Sequence, residues 1–288
     1  MTARRERSPP AERVRAIVAR SAGAAVASRL PDGYHRMGRV LLVRLPGDIT
    51  GHDREIGLAW QRVLGVETVV AREGPVDGEL RRPRVRVLAG TETTTEVVEH
   101  GLRYRFDAAR TMFATGNRTE RHRIAGLVRP GEVVGDLFAG IGYFSVPIAA
   151  RADPARLVAV EKNPDAFPFL EQNLAPYRDR IPIETHLGDN RRISLSGGRF
   201  DRLILGYLPT SEGWIPRALA LARPSGAWIH LHRTEETRRA LYDGEREVAE
   251  RFLAAGAIRA EPVRSRIVKP YGPGRRHVVV DAWVAQRS

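Results

Sequence analysis

The run Val133-Val134-Gly135-Asp136-Leu137-Phe138-Ala139-Gly140-Ile141-Gly142 is apolar up to an acid and then turns through two glycines one residue apart. That order describes a buried strand stopped by a turn tight enough to bring backbone against a ligand, with a helix opening at 143–150. The chemistry is the holding of a nucleotide-like cofactor. A dinucleotide fold wants a third glycine three residues after the second, where Ser145 stands. An acid ahead of the loop, together with Glu161 closing the next apolar run Leu157-Val158-Ala159-Val160, suits S-adenosylmethionine better. The Glu161 carboxylate can accept both ribose hydroxyls.

Further segments fall where strands of such a sheet end, the edge at which ligands bind. Gly188-Asp189-Asn190 brings an acid and an amide able to read the edge of adenine, although the triplet is also ordinary turn chemistry. Gly206-Tyr207-Leu208-Pro209 stands where base-modifying methyltransferases carry an Asn or Asp before Pro-Pro or Leu-Pro, and here the amide is missing. Upstream, Phe113 to Arg121 forms a loop into a helix, with Asn117 and Glu120 spaced as a helix cap. His230 and His232 alternate on one strand as two metal ligands would. With no third ligand in view and no cysteine, the pair is structural and no metal is assigned.

The elements that position these residues alternate from residue 132 onward. Strands at 133–137, 157–161, 181–187, 201–206 and 226–232 with helices between them predict an α/β, doubly wound parallel sheet. A helix at 235–254 and strands at 258–268 and 277–285 follow. An antiparallel last strand of this kind is the ending of a class I S-adenosylmethionine-dependent methyltransferase, Rossmann-like, rather than of a dehydrogenase. Ahead lies a small α+β domain at 31–110, with strands at 39–45, 68–71, 85–88 and 104–106 and a helix at 54–64. Residues 1–30 read as a basic arm and 111–288 as the catalytic domain.

The chain of 288 residues is long enough to bury a full core without staples, and the absence of cysteine excludes disulfides, thiolate catalysis and cysteine-held zinc. No apolar run is long enough to span a membrane. Arg20 interrupts the apolar stretch of the arm, which argues against a secretory signal and for a cytoplasmic protein. A net charge of +13 calls for a polyanionic partner, most simply nucleic acid. Of the 47 basic residues all but Lys162 and Lys269 are arginine. Codon bias explains that choice of base but not the excess of base over acid. Basic clusters at Arg81-Arg82 with Arg84, and at Arg264, Arg266, Lys269, Arg275 and Arg276, are candidates for phosphate contacts.

Taken together, Met112 to Arg121, Asp136 to Phe144, Glu161-Lys162-Asn163-Pro164, Gly188-Asp189-Asn190-Arg191, Leu205 to Trp214 and the closing Val268-Lys269-Pro270-Tyr271-Gly272-Pro273-Gly274 resemble the tRNA wybutosine-synthesizing protein 2 family. That family is related to the tRNA guanine N1-methyltransferases of archaea and eukaryotes. The resemblance implies transfer of the 3-amino-3-carboxypropyl group of S-adenosylmethionine to a carbon of a guanine-derived base beside the tRNA anticodon, leaving methylthioadenosine. It implies a donor site of the Ala114 backbone and Arg121 around the amino-acid part, Glu161 on the ribose and Asp189 with Asn190 on adenine. Phe138, Gly140 and Gly142 would wall it, with Arg121, Gly206 and Pro209 as catalytic candidates. Ala114 stands where the family usually has Ser. N1-methylation of tRNA guanine, transfer to a different acceptor, and an RNA-binding protein using the cofactor for structure are the alternatives. Gly206 in place of Asn argues against methylation.

Overall fold

The computed structural model describes all residues except 1–7, 48, 50, 77, 114, 196–198 and 288. The chain divides into two compact units, Met1–Val98 with Arg103–Phe113, and Glu99–Leu102 with Ala114–Ser288.

The first unit opens with α1 (Pro10–Ser21) and the short α2 (Ala24–Ala27). Pro10 begins α1 where its missing N–H costs nothing. Then come β1 (Tyr34–Met37), β2 (Val40–Val43), α3 (Asp53–Leu64), β3 (Thr68–Arg72) and β4 (Val85–Ala89). The four strands form one sheet in chain order, parallel only between β2 and β3. The stretch expected as a separate basic arm is, from Pro10 on, part of this unit. Ala11, Val14 and Val18 recur at helical spacing and are buried in one core with Ile56, Ala59 and Trp60 of α3 and with Leu41 and Val69 of the sheet. Burial of that apolar face outweighs the arginines, which keep to the solvent side. Strands β5 (Thr94–Glu99) and β6 (Leu102–Asp107) pair with each other. The sequence reading missed β1 and β5 because Tyr-His-Arg-Met and Thr-Thr-Glu-Val-Val-Glu are half-polar strands without an apolar run.

The second unit holds α4 (Arg118–Leu127), β7 (Val133–Asp136), α5 (Ser145–Arg151), β8 (Arg156–Glu161), α6 (Phe167–Leu174) and β9 (Ile183–Leu187). It continues through β10 (Arg202–Leu205), α7 (Ile215–Leu221), β11 (Ala227–Glu236), α8 (Leu241–Ala254), β12 (Arg259–Gly272) and β13 (Arg275–Ala285). Seven strands lie in the order β12-β13-β11-β10-β7-β8-β9, and β13 is antiparallel to both its neighbours. The core is built from Leu203, Leu205, Val158, Val160 and Leu231 of the central strands with Val248 and Phe252 of α8. The chain moves from β7 outward to β8 and β9, then returns to place β10 on the other side of β7. The crevice at the carboxyl end of β7 is therefore the switch point where ligands of such sheets bind.

One expected element differs. The helix read at 235–254 begins only at Leu241, because β11 continues through Glu236. Residues 233–236 continue the ladder against the long strand β13, with Glu236 opposite Arg275. Among the described residues no helix is long and apolar enough to cross a membrane.

Candidate functional site

Asp136, the last residue of β7, is fully buried and its Oδ2 accepts the Ser145 hydroxyl at 2.7 Å. Burial pushes its carboxyl up to about 6, against the pull of the Ser145 and Phe138 hydrogen bonds and helped by the nearby Glu161 charge. The acid thus clamps the start of α5 to the end of β7. Gly140, at φ 59, is in the left-handed region, and a side chain there would meet the Tyr143 ring at 2.8 Å. Gly142 is also left-handed, at φ 99, but its missing side chain makes room for Val146 and Leu170. Helix packing against the turn, besides ligand approach, is what this second glycine allows.

Glu161 closes β8 and turns its carboxylate onto the loop. The Gly140 N–H donates to Oε2 and the Asn163 N–H to Oε1, each at 2.6 Å. Burial raises the carboxyl above its usual range while these amides oppose the rise. A carboxylate fixed at the crevice and accepting one amide on each oxygen keeps further lone pairs for a diol.

Beyond β9, Asp189 takes Lys162 at 3.1 Å and Arg191 at 2.5 Å. The Arg191 hydrogen bond, with Lys162 adding to it, holds this carboxyl well below the ordinary range despite the opposing effect of burial. Asn190 is buried, and its amide nitrogen donates to the Leu137 carbonyl at 2.6 Å. Its Oδ1 is buried with no hydrogen-bond partner among the described residues. The pair expected to read both donor and acceptor edges therefore offers chiefly one buried acceptor from Asn190.

At the end of β10, a side chain on Gly206 would approach the Phe144 ring to 3.2 Å. The absent amide does not leave an open void in that direction, since Phe144 borders it. The following segment is pinned to β11: Thr234 N–H donates to the Pro209 carbonyl at 2.7 Å, and Arg233 reaches Glu212 at 2.5 Å. Pro209 itself is exposed. Phe138, Tyr207 and Trp214 make an aromatic trio with centroids 5.1 to 5.4 Å apart, and the Arg191 guanidinium lies over Trp214 at 5.4 Å. Of the three, the resemblance implies a site role only for Phe138, while Tyr207 and Trp214 belong to the Leu205 to Trp214 motif without one.

Arg121, on α4, is buried and its guanidinium meets the buried Glu99 carboxylate at 2.5 Å. It also stacks over Tyr143 at 4.5 Å, which sets it beside the Gly140 turn. Arg118 reaches the same Glu99 at 3.0 Å. Glu99 carries no motif, and it stands 22 residues from Arg121 on a strand the sequence did not reveal. Ala114 lies outside the described residues.

The histidines are explained by protein partners. Arg202 donates to His230 Nε2 at 2.7 Å, which places the His230 proton on Nδ1, facing Asp281 at 2.5 Å. His232 meets His277 at 2.8 Å, and burial drives its pKa down to about 3. Of the proposed phosphate contacts, Arg276 is turned inward: its side chain is 11% exposed and it donates to the Thr237 carbonyl at 3.2 Å. Arg275 donates to Thr234. Arg82, Arg84, Arg264 and Arg266 are exposed.

A switch-point crevice with an acid at the first strand, a carboxylate at the second and an antiparallel seventh strand defines a Rossmann-like class I transferase of the S-adenosylmethionine-dependent type. The family described as TRM5/TYW2 methyltransferase domain matches residues 95–255, and the TYW2 N-terminal domain matches 14–94. The chain belongs to the TRM5/TYW2 family. It is 35% identical to a tRNA(Phe) (4-demethylwyosine(37)-C(7)) aminocarboxypropyltransferase of Pyrococcus horikoshii, over 94% of this chain and 96% of that protein. The structure of P. horikoshii TYW2 in complex with MeSAdo superposes with a TM-score of 0.82 at 31% identity, covering 96% of this chain and 100% of the other. Trm5b of Pyrococcus abyssi gives 0.74 at 26% identity, covering 90% and 77%.

Proposed function

We propose that this chain transfers the 3-amino-3-carboxypropyl group of S-adenosylmethionine to a carbon of a wyosine-type, guanine-derived base beside the anticodon of tRNA. The observation that carries the reading is the P. horikoshii aminocarboxypropyltransferase, similar over nearly the whole of both chains. The residues present fit the donor. Glu161 would take the ribose hydroxyls, the buried Asn190 Oδ1 would accept from the adenine amino group, and the Gly140 turn would admit the nucleoside against backbone. Asp189 would act mainly through its hold on Lys162 and Arg191. When bound, S-adenosylmethionine supplies a sulfonium whose bond to the amino-acid chain breaks as the acceptor carbon attacks, its electrons going to sulfur to give methylthioadenosine.

The chain's own residues orient and neutralise. Arg121, held by Glu99 and Tyr143 beside the Gly140 turn, would stabilise the amino-acid end of the donor. A side chain at Gly206 would press on the Phe144 ring at the end of β10, and Pro209 anchors the segment that follows through its carbonyl. The ring proton of the acceptor leaves to solvent after attack, and no strong base is assigned. tRNA as the partner accords with the charge of +13, and a tRNA substrate supports a cytoplasmic location.

Incubating the protein with S-adenosylmethionine and tRNA carrying the wyosine precursor, then identifying the sulfur product by mass, tests the reading. Methylthioadenosine with an acceptor heavier by one aminocarboxypropyl group is the expected result. S-adenosylhomocysteine with a methylated base would move the chain to the N1-methyltransferase branch.

A further inference from the structure

Among 47 basic residues only Lys162 and Lys269 are lysine. A composition that writes arginine nearly everywhere else makes these two positions stand out. Lysine offers a compact ammonium on a thin stem where arginine brings a broad planar fork. Lys162 lies in the site, clamping Asp189 at 3.1 Å. Lys269 was expected to touch phosphate, yet its side chain lies across Gly116, in the segment that leads into α4 and Arg121. Its Cδ is 2.6 Å and its Nζ 3.1 Å from the point where a side chain on Gly116 would begin. The missing side chain of Gly116 is what lets the lysine stem cross.

The backbone of β12 is shaped for this placement. Its register against β13 shifts between Ile267 and Lys269, so Val268 is an extra residue and Lys269 falls opposite His277. A bulge of this kind re-aims the side chain that follows it. The charge already present gives Lys269 a task. The guanidiniums of Arg121 and Arg118 both meet the buried carboxylate of Glu99, at 2.5 and 3.0 Å, so part of their charge is spent within the protein. The half-exposed Arg118 is also screened by water. A donor carboxylate entering beside Glu99 brings a second anion to that end of the site, where a further cation would strengthen its binding.

We propose that Lys269 binds the carboxylate of the amino-acid chain of S-adenosylmethionine, sharing it with Arg121 across the Gly116 segment. This rests on the donor site described under the proposed function. Methylthioadenosine has the same nucleoside but lacks the amino-acid chain with its carboxylate, so it separates a contact to that chain from a role in nucleoside binding or folding.

The test is titration calorimetry of the full chain and of Lys269→Met with both compounds. Affinity of the variant for S-adenosylmethionine should fall tenfold or more, while its affinity for methylthioadenosine stays within about twofold of the unaltered chain. Lys269→Arg should recover part of the loss. An equal fall for both compounds would make Lys269 a structural prop and overturn the proposal. So would unchanged affinity for S-adenosylmethionine, and if tRNA binding alone then weakens, Lys269 is a phosphate contact. If the unaltered chain binds neither compound, the functional reading falls and takes this inference with it. Binding of both, equally by the chain and its variant, sinks the inference alone.

Discussion

The Gly140 amide donates to the Glu161 carboxylate at 2.6 Å, so the turn after β7 and the end of β8 are set by one charged group. The turn's left-handed glycine and the carboxylate are thereby fixed before any ligand arrives. A site held this way loses little ordering entropy on binding.

Glu161→Ala should consequently act twice. Donor affinity should fall by more than about 1 kcal/mol for loss of a hydrogen bond to a charged group, and stability by about 1–3 kcal/mol because two backbone amides lose their acceptor. Asp189→Ala should weaken donor binding as well, through release of Lys162 and Arg191. Calorimetry and thermal melts read both effects. Undiminished affinity in Glu161→Ala would remove Glu161 from the site.

The sheet and its strand-end residues were legible because parallel, fully buried strands write themselves as apolar runs, and the residues that stop those runs are polar for a reason. Asp136 and Glu161 end β7 and β8, and Asn190 follows β9, where the sequence pattern sets them. Partners supplied from elsewhere in the chain were not legible. Glu99 is one acid on a half-polar strand, and nothing local in the sequence ties it to Arg121. The inward turn of Arg276 was equally hidden, since a run of basic residues says nothing of which one is bonded to carbonyls. For residues 10–30 the count of arginines obscured the apolar spacing of Ala11, Val14 and Val18, which the core of the first unit uses.

Asp136 makes stability depend on pH in a defined direction. Its pKa rises from 3.8 to about 6 on folding, so the folded chain holds a proton that the unfolded chain releases between those values. Its contribution is most favourable below about pH 4 and is lost as pH rises to about 6, a total of about 3 kcal/mol for a shift of about two units. Asp136→Asn cannot ionise and should gain on the unaltered chain by about that amount between pH 4 and pH 7. Denaturant unfolding across this range checks it, and parallel curves for the two proteins would refute the shift.

Gly206 borders Phe144 at a distance that tolerates little. For Gly206→Ala the ring must give by a few tenths of an ångström, since the new carbon meets it at 3.2 Å. A loss of about 1 kcal/mol is expected from such overpacking, more for Gly206→Asn. In the asparagine variant transfer should slow by about tenfold or more, equivalent to about 1.4 kcal/mol in the barrier. Single-turnover rates measured with saturating donor decide this. A variant as fast as the unaltered chain would show that glycine at 206 is not needed for the reaction.

The basic residues divide by where their guanidiniums point. Arg84 and Arg264 are exposed, whereas Arg276 is turned inward onto the Thr237 and Arg239 carbonyls. If tRNA is bound through its phosphates, affinity falls linearly with salt on logarithmic axes, with a slope set by the number of phosphates neutralised. Replacing Arg84 and Arg264 together by Ala should make that slope shallower by about one to two units, one for each phosphate no longer neutralised, with stability unchanged. Arg276→Ala should instead lower the melting temperature and leave the slope alone, because the carbonyls it satisfies would be left without their donor. Filter binding across a salt series, with melts of each variant, separates the two classes. A tRNA affinity that hardly responds to salt would mean that the excess of positive charge serves something other than the tRNA backbone.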